Sequence, residues 1–173
     1  MTRRLALLAL LAAPLAAVAQ DALVIPGDAP DWLSMEAAVA EARAEGKLVV
    51  VYGFAPWCGF CVRFDREVFT DDAVQAYLAE HFAAVRLDLD SDGPVQFFDA
   101  SLTQRQLGAV MGITGTPTSV FVSADGELIT KLPGFHDPET FRLALRYVRE
   151  EAYATATFED YLSANRAGGA ARQ

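Results

Sequence analysis

The stretch Lys47-Leu-Val-Val-Val-Tyr-Gly-Phe54 is followed within four residues by Cys58-Gly-Phe-Cys61, and this junction limits the fold more than any other feature. An unbroken β-branched and aromatic run marks a strand buried on both faces. Beyond it, Cys61, Phe64 and Val68 recur at helical spacing, so a helix opens at Cys58. A strand that feeds directly into a helix is the entry to a crossover. Crossovers through helices require a parallel sheet with helices on its faces.

The rest of the chain fits that frame. Ser34 caps a helix that Gly46 ends. A helix capped by Thr70 follows the cysteines and places Val74, Tyr77, Leu78 and Phe82 on one stripe. Ala83–Asp90 reads as the next strand and Ser91–Ser101 as a loop with turn chemistry. Thr103 and Gln106 form a capping box for a helix whose buried face is Leu107, Val110 and Met111. Two strands flank Asp125-Gly126, a strong hairpin signal. Asp137 and Pro138 then start a helix with Phe141, Leu145, Val148 and Ala152 inward. Ala164–Gln173 reads as a frayed tail. The class is α/β, with parallel strands first and an antiparallel hairpin at the end.

The N-terminus is of another kind. Arg3 and Arg4 precede an apolar run that ends in Ala17-Val18-Ala19, the order of a cleaved export signal. Its apolar run is short for a membrane span of about 20 residues. The expected organisation is therefore a signal peptide at 1–19, a lead-in at 20–31, one domain at 32–153, and an extension and tail at 154–173. Losing two arginines and no acid would move the net charge from −9 to −11. Such a surface repels nucleic acid and anionic lipid. The expected compartment is the periplasm, where paired cysteines tend to oxidise.

Cys58 and Cys61 are the chain's two cysteines. A staple across so small a ring gains little. Zinc wants four ligands, or three and water. The two histidines, His81 and His136, lie far from the cysteines in sequence and lack ligand spacing, so both read as ordinary surface residues. Linear copper(I) needs only two thiolates, and a copper(I) chaperone stays as an alternative. A reversible dithiol fits best. The positive end of a helix lowers the pKa of a thiol placed there, which makes Cys58 the attacking thiolate. Cys61, one turn on, can close the disulfide. Pro117 opens a strand in which it cannot donate a hydrogen bond. That is resolved by an edge position or by a special peptide bond.

Together these residues resemble the thioredoxin superfamily over roughly Trp32 to Val148. The resemblance rests on the central strand, on Trp57-Cys58-Gly-Phe-Cys61 at a helix start, and on Thr116-Pro117 opening a later hairpin. The segment Trp57–Val74 is similar to the branch of that superfamily with an acidic, aromatic-rich first helix, and Asp90–Phe135 is similar to the exported thioredoxins of bacterial sulfur-oxidation systems. The resemblance implies a thioredoxin fold in a single domain, a central mixed β-sheet flanked by helices. It makes Cys58 the nucleophile, Cys61 the resolving cysteine and Pro117 a cis-proline beside the disulfide. Thr116 would offer its backbone to an extended substrate, and Trp57 would belong to the docking surface. Gly59 and Phe60 stand where cytoplasmic thioredoxin has Gly-Pro, a place that tunes potential and partner surface. Tyr52 stands where that protein has a buried acid, and Arg86 where it has a nearby lysine. The proton acceptor for Cys61 is therefore missing or supplied differently. Glu67 reads as a solvated helix-face residue rather than a substitute.

The resulting expectation is a thiol–disulfide oxidoreductase that reduces protein disulfides and is re-reduced by a membrane electron-transfer partner. A disulfide-donating oxidase is the alternative direction. The redox-active Cys58–Cys61 disulfide would serve without further cofactor or metal. No dimerisation segment is visible, so a monomer is expected.

Overall fold

The computed structural model describes residues 29–170. The leader at 1–19, most of the lead-in and the last three residues lie outside them. Strands β1 (Trp32–Leu33), β2 (Leu48–Phe54), β3 (Phe82–Asp88), β6 (Thr118–Val122) and β7 (Leu128–Pro133) form one sheet in the order β1-β3-β2-β6-β7. β1, β3 and β2 run parallel, whereas β6 and β7 are antiparallel to their neighbours. The sheet is thus mixed, with the antiparallel hairpin at one edge. Helices α1 (Met35–Glu45) and α4 (Gln104–Val110) cover one face. Helices α2 (Gly59–Glu67), α3 (Asp72–His81) and α5 (Pro138–Arg149) cover the other.

The central position of β2 explains its composition. Val49 and Val51 pack with Met35, Ala38, Leu107 and Val120 on the α1/α4 side. Val50 and Tyr52 pack with Phe64, Phe69, Phe121 and Phe141 on the opposite side. Alternate side chains point to opposite faces, and both faces are covered, so no position admits a polar residue facing water. The helix ends follow the sequence closely. The Ser34 hydroxyl accepts the Ala37 N–H, and Gly46 closes α1 in the left-handed region at φ 68°. The capping box at Thr103 and Gln106 is complete. The Asp137 carboxylate accepts the Thr140 N–H with Pro138 in the first turn.

Five expectations are corrected. Asp71, not Thr70, caps α3, because its carboxylate reaches the Ala73 and Val74 N–H groups. The Thr70 hydroxyl instead donates back to the Arg66 carbonyl at 2.6 Å. Phe82 is not the end of the α3 stripe but the first, buried residue of β3. The segment read as a loop holds a hairpin, β4 (Pro94–Phe97) with β5 (Ala100–Thr103), turning through Phe98 at φ 53°. Its Pro94 opens the strand, where a missing donor costs least. Val110 is 66% exposed, and Gly108 takes the buried place beside Leu107. A Cβ on Gly108 would stand 2.5 Å from Leu89 Cδ2, so with glycine α4 lies this close to the end of β3 without turning the Leu89 side chain aside.

Finally, Ala164–Ala170 belongs to helix α6 (Phe158–Ala170), which follows a 3₁₀ turn at Ala152–Ala154. Phe158 and Tyr161 pack their rings 5.4 and 5.3 Å from Tyr147. Arg166 donates to the Thr140 hydroxyl at 2.7 Å. These contacts along α5 outweigh the poor helix propensity of the glycines near the end. Among the described residues, no helix is long and apolar enough to cross a membrane.

Candidate active site

β2 ends at Phe54, and a tight turn carries the chain to the start of α2. The Cys58 N–H donates to the Ala55 carbonyl at 3.1 Å, which fixes the turn. Cys58 is the N-cap of α2, in extended conformation, and its Sγ accepts the Cys61 N–H at 3.1 Å. The sulfur does the work that a serine or aspartate oxygen does at other helix starts. Cys58 and Cys61 are joined by a disulfide with Cα atoms 5.2 Å apart. They are only 4% and 2% exposed. The helix terminus directs its free N–H groups and positive end at Cys58, which favours a thiolate there once the bond is reduced.

The surface around this buried pair is apolar and open. Trp57 is 74% exposed, and its indole N–H donates to the Asp90 carboxylate at 2.5 Å. Asp90 lies in the turn after β3, which Arg105 secures through the Asp90 carbonyl and the Asp92 carboxylate. Gly59 has open space around its Cα. Phe60 is 62% exposed and leans toward Phe135 at 6.4 Å, a ring that Arg63 covers from 4.2 Å. Asp90 and Phe135 were not singled out in the sequence, since neither a turn aspartate nor an isolated phenylalanine carries a distinguishing pattern.

The Thr116–Pro117 peptide bond is cis, in agreement with the resemblance. Pro117 precedes Thr118, the β6 residue paired with Gly53, so it sits at the end of the sheet from which β2 runs into the cysteines. The Pro117 carbonyl accepts the Gly134 N–H at 2.8 Å. The Thr116 N–H and carbonyl have no hydrogen-bond partner among the described residues.

Beneath Cys61 lies an aromatic floor. Tyr52 is fully buried, with Phe64 and Phe69 at 5.2 and 4.8 Å, and its hydroxyl donates to the Cys61 carbonyl at 3.4 Å. Burial pushes the Tyr52 phenol far up, the Asp65 charge pushes it further, and Arg86 only partly opposes them. Arg86 grips Asp65 through two bonds of 2.7 Å and lies flat on Phe54 at 4.0 Å. The sequence marked Arg86 but not Asp65, although its place one turn beyond Cys61 puts it on the same helix side. Glu67 pairs with Arg63 and Arg66 on the open face of α2, as read. His81 borders Tyr77 and Glu80 at the end of α3, and His136 contacts the Pro133 carbonyl. Among the described residues, no three His, Cys, Asp or Glu side chains converge to hold a metal ion.

Comparison with known proteins agrees with this geometry. Residues 35–149 match the family model of the thioredoxin-like domain. The thiol:disulfide interchange protein DsbD of Ralstonia nicotianae is 32% identical over 113 residues, which cover 65% of this chain and 17% of that protein. DsbD 1 of Pseudomonas aeruginosa is 33% identical over 93 residues, covering 54% of this chain and 14% of that protein. The chain thus aligns with less than a fifth of the length of these relatives. Among solved structures, a thioredoxin from Thermus thermophilus superposes with a TM-score of 0.58 at 26% identity, over 70% of this chain and 88% of that one. A putative disulphide-isomerase from Bacteroides thetaiotaomicron gives a TM-score of 0.54 at 30% identity, over 70% and 91%. This chain belongs to the thioredoxin-like domain family, and its Cys58–Cys61 disulfide stands at the start of the first helix after the central strand.

Proposed function

We propose that the protein is a periplasmic reductase of protein disulfides. The observation that carries this reading is Cys58 itself, whose Sγ caps α2 against the Cys61 N–H at 3.1 Å, one turn from its partner sulfur. In the reduced protein the Cys58 thiolate attacks a disulfide of the partner, and one partner sulfur leaves as a thiolate. The Cys61 thiolate then attacks Cys58 Sγ, the second partner sulfur leaves, and the Cys58–Cys61 disulfide forms. The partner gains two electrons and two protons. A membrane electron-transfer protein returns the electrons, because the periplasm holds no reducing buffer.

Trp57, Gly59, Phe60, Thr116 and Pro117 form the docking surface in this reading. The exposed rings of Trp57 and Phe60 flank the pair and exclude water from the exchange. The unpartnered Thr116 backbone takes an extended substrate segment as an added strand. The export signal read at 1–19 supports the periplasmic location, and the relatives that are named thiol:disulfide interchange proteins support the reaction class. The protein works as a monomer and without cofactor or metal. Sulfur-carrier proteins or cytochrome c maturation proteins are the narrower substrate classes suggested by the sequence likeness.

The direction of electron flow is tested by the equilibrium potential of the pair in defined thiol buffers. A value near or below roughly −220 mV supports the reductase, and one near roughly −120 mV makes the protein an oxidant. Cys61→Ser should trap partners as mixed disulfides, whereas Cys58→Ser should abolish turnover. Undiminished insulin reduction by Cys58→Ser would end the mechanism.

A further inference from the structure

The sheet order places β3 and β7 on opposite sides of β2, the strand that leads into the cysteines. On the β3 side, the turn after the strand carries Asp88, Asp90 and Asp92 beside one cation, Arg105. The turn is pinned along its length. Gln104, at the start of α4, accepts the Asp88 N–H at 2.8 Å, and the Asp88 carboxylate accepts the Asp90 N–H at 3.0 Å. Arg105 donates to the Asp92 carboxylate at 3.1 Å and to the Asp90 carbonyl at 2.6 Å. Three carboxylates thus stand against one guanidinium, and the Asp92 side chain is 77% exposed.

The β7 side has the opposite sign. There Phe60 leans on Phe135, and Arg63 covers the Phe135 ring. Arg63 and Arg66 share one carboxylate, that of Glu67, at 2.8 and 3.4 Å. Among the described residues, no second acid pairs with either arginine. The Arg66 side chain is 73% exposed, so the surplus positive charge is open to a partner. Asp65 is neutralised by Arg86, and the Asp137 carboxylate is turned back onto Thr140. In a chain of net charge −9, this surplus of cation beside the site runs against the rest of the molecule.

We propose that the rim of the site is electrically polar and selects protein segments whose attacked cysteine has basic residues on one flank and acidic residues on the other. The selection rests on the reading of Cys58 as the attacking sulfur. With the partner's cysteine over Cys58, its basic flank meets the Asp90–Asp92 turn beyond Trp57. Its acidic flank meets Arg63 and Arg66 beyond Phe60. The net charge of the chain draws basic partners from a distance but does not orient them. Rim charges orient the encounter, and they act on its rate in a salt-dependent way.

Short peptides, acetylated and amidated at their ends, test this on the full-length protein. Each has a central cysteine held as a mixed disulfide with thionitrobenzoate. One has two lysines before the cysteine and two glutamates after it, a second has the reverse order, and a third has glutamines throughout. The peptide chains have no net charge, so the overall charge of the protein does not separate them. The protein is reduced with dithiothreitol and then freed of it. The Cys58 thiolate attacks the peptide sulfur, the bond from that sulfur to thionitrobenzoate breaks, and thionitrobenzoate leaves as a coloured thiolate with the electron pair. Cys61 then displaces the peptide as a thiolate. At low salt one charged order should react about 10-fold faster than the other, with the neutral peptide between them. The difference should fall below about 3-fold in about 0.5 M salt. Arg63→Gln/Arg66→Gln and Asp92→Lys should each cut the preference to about 3-fold. Because Arg63 also covers Phe135, Arg66→Glu repeats the test without touching that contact. Equal rates for the two charged orders, or a preference that none of these substitutions reduces, overturns the proposal and leaves the reductase reading intact. Absence of release from every peptide would refute Cys58 as the attacking sulfur, and the selection with it.

Discussion

Reducing the Cys58–Cys61 bond should make the protein less stable, and the size of the loss follows from two opposing terms. The bond joins residues with a sequence separation of 3. For a ring of four residues the chain-entropy relation gives roughly 6 cal/mol/K, or about 2 kcal/mol at 25 °C, in favour of the oxidised fold. Against this, the start of α2 stabilises the Cys58 thiolate of the reduced fold by about 0.3–1 kcal/mol. The oxidised protein is therefore the more stable by about 1 kcal/mol. With a urea m-value of about 2 kcal/mol/M, its unfolding midpoint lies about 0.5 M higher. The same difference places the potential of the folded pair about 20 mV below that of the unfolded Cys-x-x-Cys segment. The assay is urea unfolding followed by circular dichroism, on oxidised protein and on protein held reduced by excess dithiothreitol. A reduced protein that outlasts the oxidised one would mean that the fold favours the dithiol. That is the thermodynamic character of an oxidant, and it would refute both the balance of terms and the direction of electron flow.

Three further outcomes follow from the core and the caps. Because the Tyr52 phenol is raised by burial and the Asp65 charge, its contribution is fully present below the unfolded tyrosine value of about 10 and is lost as pH rises beyond it. Urea midpoints between about pH 9 and 11.5 should fall less steeply in Tyr52→Phe than in the wild type. Gly108→Ala should change stability in urea unfolding by less than about 1 kcal/mol, because alanine favours α4 by about 0.5–1 kcal/mol while the half-buried Leu89 side chain must turn aside from a methyl group 2.5 Å from its Cδ2. At Asp137, burial pushes the carboxyl up, but the hydrogen bonds from Thr140 and the charge of Arg166 outweigh it and hold the carboxyl below its usual range. That contribution is present above about pH 3.9 and lost as pH falls through the depressed value. Asp137→Asn should keep the cap and flatten the acid limb of the stability curve. Asp137→Ala should also lose about 1 kcal/mol at neutral pH.

The parts of the fold that were legible in the sequence are those in which one residue type has one physical job. A run such as Leu48–Phe54 fits only where both faces are covered, and it is the central strand. Ser34, Gly46, Thr103, Gln106 and Asp137 satisfy backbone groups of their own helix ends, so their roles need no knowledge of the distant chain. The cysteine pair is of this kind too, because its spacing and its position after the strand already place both sulfurs at one helix start. The hairpin at Pro94–Thr103 was hidden because its residues are only half-buried, and Ser91, Gly93 and Pro94 imitate a loop. The exposure of Val110 depends on where the short α4 stops and on how closely Gly108 lets it approach β3. Helix α6 carries no local signal because its support comes from Tyr147 and Thr140 on another helix.

The same distinction governs the site. The resemblance to thioredoxins marks Trp57 and Tyr52, yet it does not give the partners that fix their behaviour. Asp90 is 33 residues from Trp57, and Asp65 is 21 residues from Arg86. Both pairs form because the parallel arrangement of β2 and β3 lays Arg86 beside Tyr52 and Asp88 beside Phe54, which carries the turn after β3 to the mouth of the cysteine pair. Register between two strands, rather than any local motif, therefore brings Asp90 to Trp57 and Arg86 to Asp65. Asp90 meets an indole in the open, where water competes for the same bond. Asp65 meets a guanidinium that lies over the Phe54 ring, with both charged side chains less than a fifth exposed, where the same attraction is screened less.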